Sequence, residues 1–181
     1  MKTESNVMYI LRLALTLLAI TAVVAAALAG VNSVTAPAIA ELTAQKTQAA
    51  IEQVLPGGGE IVDFPETAWV SKVYASETGY AVEVTPGGFD NTITMMVGVD
   101  MNGNVLGIDI ISHTETAGLG AVAAAGTPAG ESFRNEFVGA TGSVSVTKDG
   151  GEVAAITGAT ITSRAICAGV NAALACVANL G

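Results

Sequence analysis

Apolar residues run without a charge from position 13 to 31, "LALTLLAITAVVAAALAGV", interrupted only by two threonines. These 19 residues, at a helical rise of about 1.5 Å, give roughly 28 Å, which nearly matches a bilayer hydrocarbon core of about 30 Å. The run therefore predicts one membrane-spanning helix. Lys2 and Arg12 precede it and Lys46 is the next basic residue, so the positive-inside bias keeps the N-terminus cytoplasmic and places everything downstream outside. "ALA" at 27–29 resembles the end of a cleaved secretory signal, but the run is longer than a signal core of about 7 to 15 residues. An anchor is preferred for that reason. A pilin-like assembly helix is a third option, and no acidic residue interrupts the run to favour it.

After the span the pattern changes twice. Residues 31–60 read as a linker helix, with Pro37 in its first turn, a stripe of Ile39, Leu42, Ala49 and Val54, and a stop at Pro56 followed by three glycines. Period-two alternation then predicts strands over 68–76, 79–86, 91–100 and 105–113, and "DMNGN" at 100–104 gives an Asn-Gly hairpin between the last two. A loop over 114–130 and a short helix around 131–137 follow. "GSVSVTKDGGEVAAITG" predicts a second hairpin, turning at Asp149 and the two glycines after it. Ile166, Val170, Leu174 and Val177 then mark a closing helix over 162–179. Antiparallel strands with flanking helices make the domain α+β. The expected segments are 1–31 for the cytoplasmic N-terminus and transmembrane helix, 32–58 for the linker helix and 59–181 for the extracytoplasmic domain.

Composition narrows the chemistry. The chain has 181 residues and a net charge of −9. Without Lys2, Glu4 and Arg12, the external part keeps five basic and fifteen acidic residues, which excludes a nucleic-acid face. Cys167 and Cys176 lie nine positions apart in the closing helix, on opposite faces and about 13.5 Å apart along its axis. That is beyond disulfide reach of about 7 Å, and two cysteines with one histidine offer no metal-ligand spacing. Trp69 and Tyr74 are aromatic rings able to stack on a flat ligand, with core packing as the default for each. Glu83 and Asp109 read as solvated strand residues, and no nucleophile has a base beside it, so no catalytic residue is assigned.

The densest chemistry sits at "AITGATITSRAI", where Thr157, Thr160, Thr162 and Ser163 crowd a helix start around Gly158 and Ala159. Hydroxyls there can cap the orphan amides of a first turn. Alternatively, two small residues let an anion reach the positive end of the helix. The residues alone leave both readings open. "GAT" occurs again at 139–141 without a leading hydroxyl or a following helix, so the tripeptide by itself means little.

"ITGATITSRAI" resembles the flavin-attachment motif of an extracytoplasmic FMN-binding domain family. That family includes the G subunit of the Rnf ferredoxin:NAD oxidoreductase complex and the C subunit of the sodium-pumping NADH:quinone oxidoreductase. "SHTETAGLG" at 112–120 resembles the family's His-x-Glu-Thr-Pro-Gly-Leu-Gly loop, with Ala117 in the proline position, and "FRNEFVG" at 133–139 resembles the segment after it. Ala154 stands six before Thr160, where the family motif carries an acid. The resemblance covers nearly the whole chain, and "SRAI" together with the short chain favours the Rnf member of the family.

The resemblance implies that a flavin transferase esterifies FMN through its phosphate to Thr160, with Thr157, Gly158 and Ala159 shaping the approach. It places Glu115, Thr116, Gly118, Leu119 and Gly120 in the flavin pocket and His113 beside it, chiefly to orient the loop. The implied function is covalent-FMN electron transfer within an ion-translocating ferredoxin:NAD oxidoreductase, with the complex's other membrane subunits as partners. Two competitors are a membrane-anchored module holding a free phosphorylated ligand and a structural surface protein whose threonines only cap a helix.

Overall fold

The computed structural model describes the backbone of residues 2–180 and the side chains of residues 6–180. Met1, Gly181 and the side chains of Lys2 and Glu4 lie outside the described residues. Two compact units divide the chain, one ending at Ala44 and one beginning at Gln45.

The first helix, α1, spans Lys2–Val54 and is long and apolar enough to cross a membrane. Its apolar side chains from Val7 to Leu42 are exposed, and those of the 13–31 run suit a lipid environment. The hydroxyls of Thr16, Thr21, Ser33 and Thr35 return hydrogen bonds to carbonyls one turn back at 2.8–3.0 Å. For Thr16 and Thr21, within the 13–31 run, such bonds satisfy a hydroxyl without water. The linker helix expected to start at Pro37 is not separate: α1 continues through Pro37, which lies inside it. α1 stops where Pro56 and the glycines end it, with Leu55 N–H still donating to Ile51 at 2.7 Å.

In the second unit, β1 (Glu60–Val62), β2 (Val70–Ala75), β3 (Gly79–Val84), β4 (Thr94–Asp100) and β5 (Val105–Ser112) form an antiparallel meander in chain order. The pattern predicts four of these strands. β1 escapes it because three residues are too few to show a period. Asp100 builds the β4–β5 hairpin, accepting the amides of Asn102 and Asn104 at 2.8 Å, while Gly103 takes a positive φ of 81°.

Both faces of the sheet are covered, and alternation along the strands sorts residues between them. Val73, Val82, Val84, Met95, Val97 and Val99 face a core shared with Phe133 and Phe137 and with α3 (Thr160–Ala178). Tyr74, Ala81, Met96 and Ile111 face the end of α1, where Ala50, Ile51, Val54 and Leu55 are buried. Gly98 allows this approach, because a Cβ there would collide with the Val54 carbonyl.

The remaining elements are α2 (Pro128–Asn135), capped by Thr127 accepting from Gly130 N–H at 3.3 Å, and short 3-10 helices at Gly120–Ala124 and Thr147–Asp149. α2 begins three residues ahead of its expected start because Pro128 and the Thr127 cap set its entry. The second hairpin does not form. Val146 and Val153 make one isolated parallel bridge, and side chains take the amides beyond it: Glu136 receives Ala154 N–H and Ser163 receives Ile156 N–H.

Two further expectations are corrected. Trp69 is half exposed, with a positive φ of 64°, so it is no core residue. Glu83 is buried, its charge met by Lys72 at 3.6 Å. Tyr74 packs in the core as expected. Cys167 and Cys176 are buried free thiols, and desolvation pushes the Cys167 pKa up to about 11.

Gly98→Ala is expected to lower stability by about 1–3 kcal/mol through overpacking against α1. Gly107→Ala, directly opposite it on β5 with open space around it, should be close to neutral. Urea midpoints of the two variants check the pair.

Candidate functional site

Three segments meet at the first turn of α3. A tight turn enters it: Ala159 N–H donates to the Ile156 carbonyl at 2.9 Å, with Gly158 between them at φ 78°. That conformation favours glycine. A Cβ at Gly158 would also press on the Leu119 side chain. The "TGAT" and "ETAGLG" segments are therefore in contact.

The hydroxyls divide by position. Ser163 is buried, accepts Ile156 N–H and donates to the Ala159 carbonyl, both at 3.0 Å. Thr162 is buried and donates to Glu115 Oε2 at 2.5 Å. Thr157 is exposed, and Thr160 is partly open. Ala159 occupies the N-cap position, and no side chain caps the helix there. The capping explanation of the cluster is thereby corrected: the buried hydroxyls pin the turn and the loop, and the first amides of α3 lack intrahelical partners, as at any helix start.

Glu115 is the acidic residue buried at this junction, beside Thr162. Its Oε1 accepts the amides of Phe89 at 2.8 Å and Asp90 at 3.4 Å, and its Oε2 accepts the Thr162 hydroxyl. On the open side of Thr160, Lys148 Nζ donates to Thr160 Oγ1 at 3.0 Å. The neighbour of Lys148 in the chain is fixed: Asp149 takes both Nε and Nη2 of Arg164 at 2.6 Å. Those hydrogen bonds hold the Asp149 carboxyl below the usual carboxylate range.

A cavity of about 290 Å³ lies among these residues, lined by Thr160, Ile161 and Thr162 of the helix, Gly158 and Ala159 of the turn, and Glu115, Thr116, Leu119 and Gly120 of the loop. Phe89 and Lys148 complete it. Phe89, Leu119 and Ile161 expose 66%, 42% and 50% of their surfaces, so the rim is open and carries much apolar area beside the exposed Thr116.

Seven of the ten site residues expected from the sequence thus come together. Thr157 and Gly118 sit in the flanking turns outside the lining. His113, at the exit of β5, also lies outside it, with Nδ1 buried and without a hydrogen-bond partner among the described residues. Phe89, Lys148, Ile161 and Thr162 line the cavity without being expected there. Thr162 is visible in the sequence as part of the hydroxyl cluster, whereas Phe89 and Lys148 reach the site only through long-range folding. Ala154, where the resembled motif carries an acid, has its amide held by the Glu136 carboxylate at 2.5 Å. Among the described residues no three His, Cys, Asp or Glu side chains gather to hold a metal ion.

The residues of this site lie within a stretch that is similar to a known domain. The family described as FMN-binding domain matches residues 88–175, a stretch containing Phe89, the 115–120 loop, Lys148 and the α3 start. The G subunit of the Na(+)-translocating ferredoxin:NAD(+) oxidoreductase complex of Acetobacterium woodii is 32% identical over 99% of this chain and 97% of its own length. The G subunit of the ion-translocating oxidoreductase complex of Yersinia pestis is 35% identical over 80% of this chain and 79% of its own. Its counterpart from Methanosarcina acetivorans is 32% identical over 87% and 88%.

Thr162→Val removes a donor from a buried carboxylate and is expected to cost about 1–3 kcal/mol, with Thr162→Ser near wild type. Thermal or urea unfolding of both variants decides it.

Proposed function

This chain belongs to the G-subunit family of ion-translocating oxidoreductase complexes, built on an FMN-binding domain. From that premise we propose that it is the membrane-bound FMN electron-transfer subunit of such a complex, with the flavin phosphate esterified to Thr160. Its partners are the other subunits of the complex. A flavin transferase is the proposed maturation enzyme, and ferredoxin:NAD oxidoreduction coupled to ion movement is the proposed overall reaction.

The observation that carries the attachment is the setting of Thr160. It is a partly open hydroxyl at the first position of α3, on the wall of an apolar-rimmed cavity, with an ammonium group 3.0 Å away. A phosphodiester at this oxygen keeps one negative charge. Lys148 and the positive end of α3 both favour that charge, in a domain otherwise rich in carboxylates. FMN, when bound, supplies the redox chemistry. The chain's own residues hold the phosphate end, through Thr160 and Lys148, and offer Leu119, Ile161 and the 115–120 loop to the flat apolar end. His113, Thr157 and Gly118 support that loop and turn from outside the lining.

The cavity also fits the need for a tether. Its volume lies at the lower edge of the range of about 300–1,000 Å³ for small-molecule pockets, and its apolar rim is exposed. Such a site holds part of a flavin nucleotide and leaves the rest near solvent, so a covalent bond secures what contact area alone would retain weakly.

α1 supplies the membrane association. The orientation we propose has the residues before the span, including Arg12, in the cytoplasm and the sheet domain outside, following the positive-inside bias. In this reading residues 1–31 comprise the N-terminus and span, and the flavin domain expected at 59–181 extends back to take in the last turns of α1, whose Ala50, Ile51, Val54 and Leu55 share a core with its sheet.

Coexpression with a flavin transferase, followed by intact-mass measurement and flavin fluorescence on a denaturing gel, tests the attachment. Wild type and Thr160→Ser should carry one FMN increment and Thr160→Ala none. A full-length protein from its own cells weighing only its polypeptide mass refutes the assignment. Lys148→Met is expected to slow flavin incorporation severalfold in a timed reaction while leaving the unfolding midpoint unchanged.

A further inference from the structure

We infer that Phe89 is the aromatic wall of the flavin site and that Glu115 acts as a positioning residue that places Phe89 there through its backbone amide. This rests on the flavin reading above and extends it to residues outside the attachment segment.

Phe89 is the aromatic side chain lining the cavity, and it is 66% exposed. A large ring left in solvent at a ligand site offers apolar area that a flat heteroaromatic can cover, and such rings prefer offset or edge contacts with centroids about 4.5 to 7 Å apart. The two aromatics singled out in the sequence lie elsewhere: Tyr74 packs with the end of α1, and Trp69 stands in the turn just before β2, outside the cavity lining.

The ring's place is set by its backbone. Residues 86–93 form a tight reversal, with Gly88 N–H donating to Asn91 at 2.7 Å and Ile93 N–H to Pro86 at 2.9 Å. Phe89 stands at its tip. One oxygen of Glu115 takes the Phe89 and Asp90 amides there, and the other takes Thr162 of the helix that carries Thr160. The carboxylate is also walled in by backbone. A Cβ at Gly88 would strike Oε1, and one at Gly120 would strike Oε2 and the Thr162 hydroxyl. One buried group thus fixes the distance between the tip bearing Phe89 and the turn bearing the attachment threonine.

The test uses the flavinylated full-length protein. Phe89→Trp puts an indole, an efficient quencher of flavin emission at contact, at the tip, and severalfold lower flavin fluorescence than wild type is expected, regained on unfolding in denaturant. Phe89→Tyr should quench in the same direction. Adding Glu115→Ala to Phe89→Trp should restore much of the emission per attached flavin, with intact mass giving the flavinylated fraction, and Glu115→Asp, one methylene too short to bridge the tip and Thr162, serves if the alanine variant does not fold or takes no flavin. Emission equal to wild type in both aromatic variants, with flavin attached, overturns the role of Phe89. Undiminished quenching with Glu115 replaced overturns its positioning role. Absence of flavin from the wild-type protein overturns the underlying reading instead, and intact mass separates that case from the other two.

Discussion

The buried carboxylate of Glu115 is the joint on which the site depends. Burying a charge costs several kcal/mol unless its acceptors are filled, and here two amides of the 86–93 reversal and the Thr162 hydroxyl fill them. Each such bond to a charged group contributes about 1.5–3 kcal/mol, so the carboxylate is tolerated only while all three segments stay together. Thr162 must point inward to reach it. Residues two apart on a helix differ by about 200° around the axis, so Thr160 is turned away from the core. The same arrangement that satisfies the acid leaves the attachment hydroxyl accessible, and Ser163, bonded to the turn behind it, holds the backbone in register.

Charge is distributed to match. Arg164 is engaged by Asp149, Arg134 donates to the carbonyls of Ala123 and Ala125, and Lys72 pairs with Glu83. Lys148 is the basic side chain directed at the cavity, where its contact is a hydroxyl and not a carboxylate. An ammonium beside an esterified phosphate would answer the one fixed negative charge that the tether introduces. Phe89, Leu119 and Ile161 give the rim exposed apolar area beside the hydroxyl of Thr116, which suits a ring system carrying polar edges.

Much of this is legible in the sequence, and the limits have physical causes. Strands β2 to β5 and the closing helix announce themselves through local periodicity, and the Asp100 hairpin through turn chemistry. The "ITGATITS" and "ETAGLG" segments identify each other only through family resemblance. Their contact, Leu119 against Gly158, spans 39 positions and leaves no local trace. Phe89 and Lys148 are unreadable for the same reason: nothing near them in sequence shows that a reversal and a 3-10 turn will be drawn toward one helix start. The hairpin at 142–158 fails because Glu136 and Ser163 take amides that a ladder would have used. Glu83 reads as solvated because alternation assumes one wet face, and here the end of α1 covers much of the face that would be wet.

That second covered face changes where the flavin domain begins. A domain starting at residue 59 would leave Tyr74, Ala81, Met96 and Ile111 exposed, an apolar surface that in this fold lies under Ala50, Ile51, Val54 and Leu55 of α1. Gly98 has no role in such a truncated domain, since the close approach it permits is to Val54. The contact division at Gln45 agrees with this packing. The last turns of α1 are therefore core residues of the sheet domain as well as its connection to the apolar span. A shortened protein that preserves the cavity has to retain them, because the strands carrying the Glu115 loop and the Phe89 reversal are held from both sides.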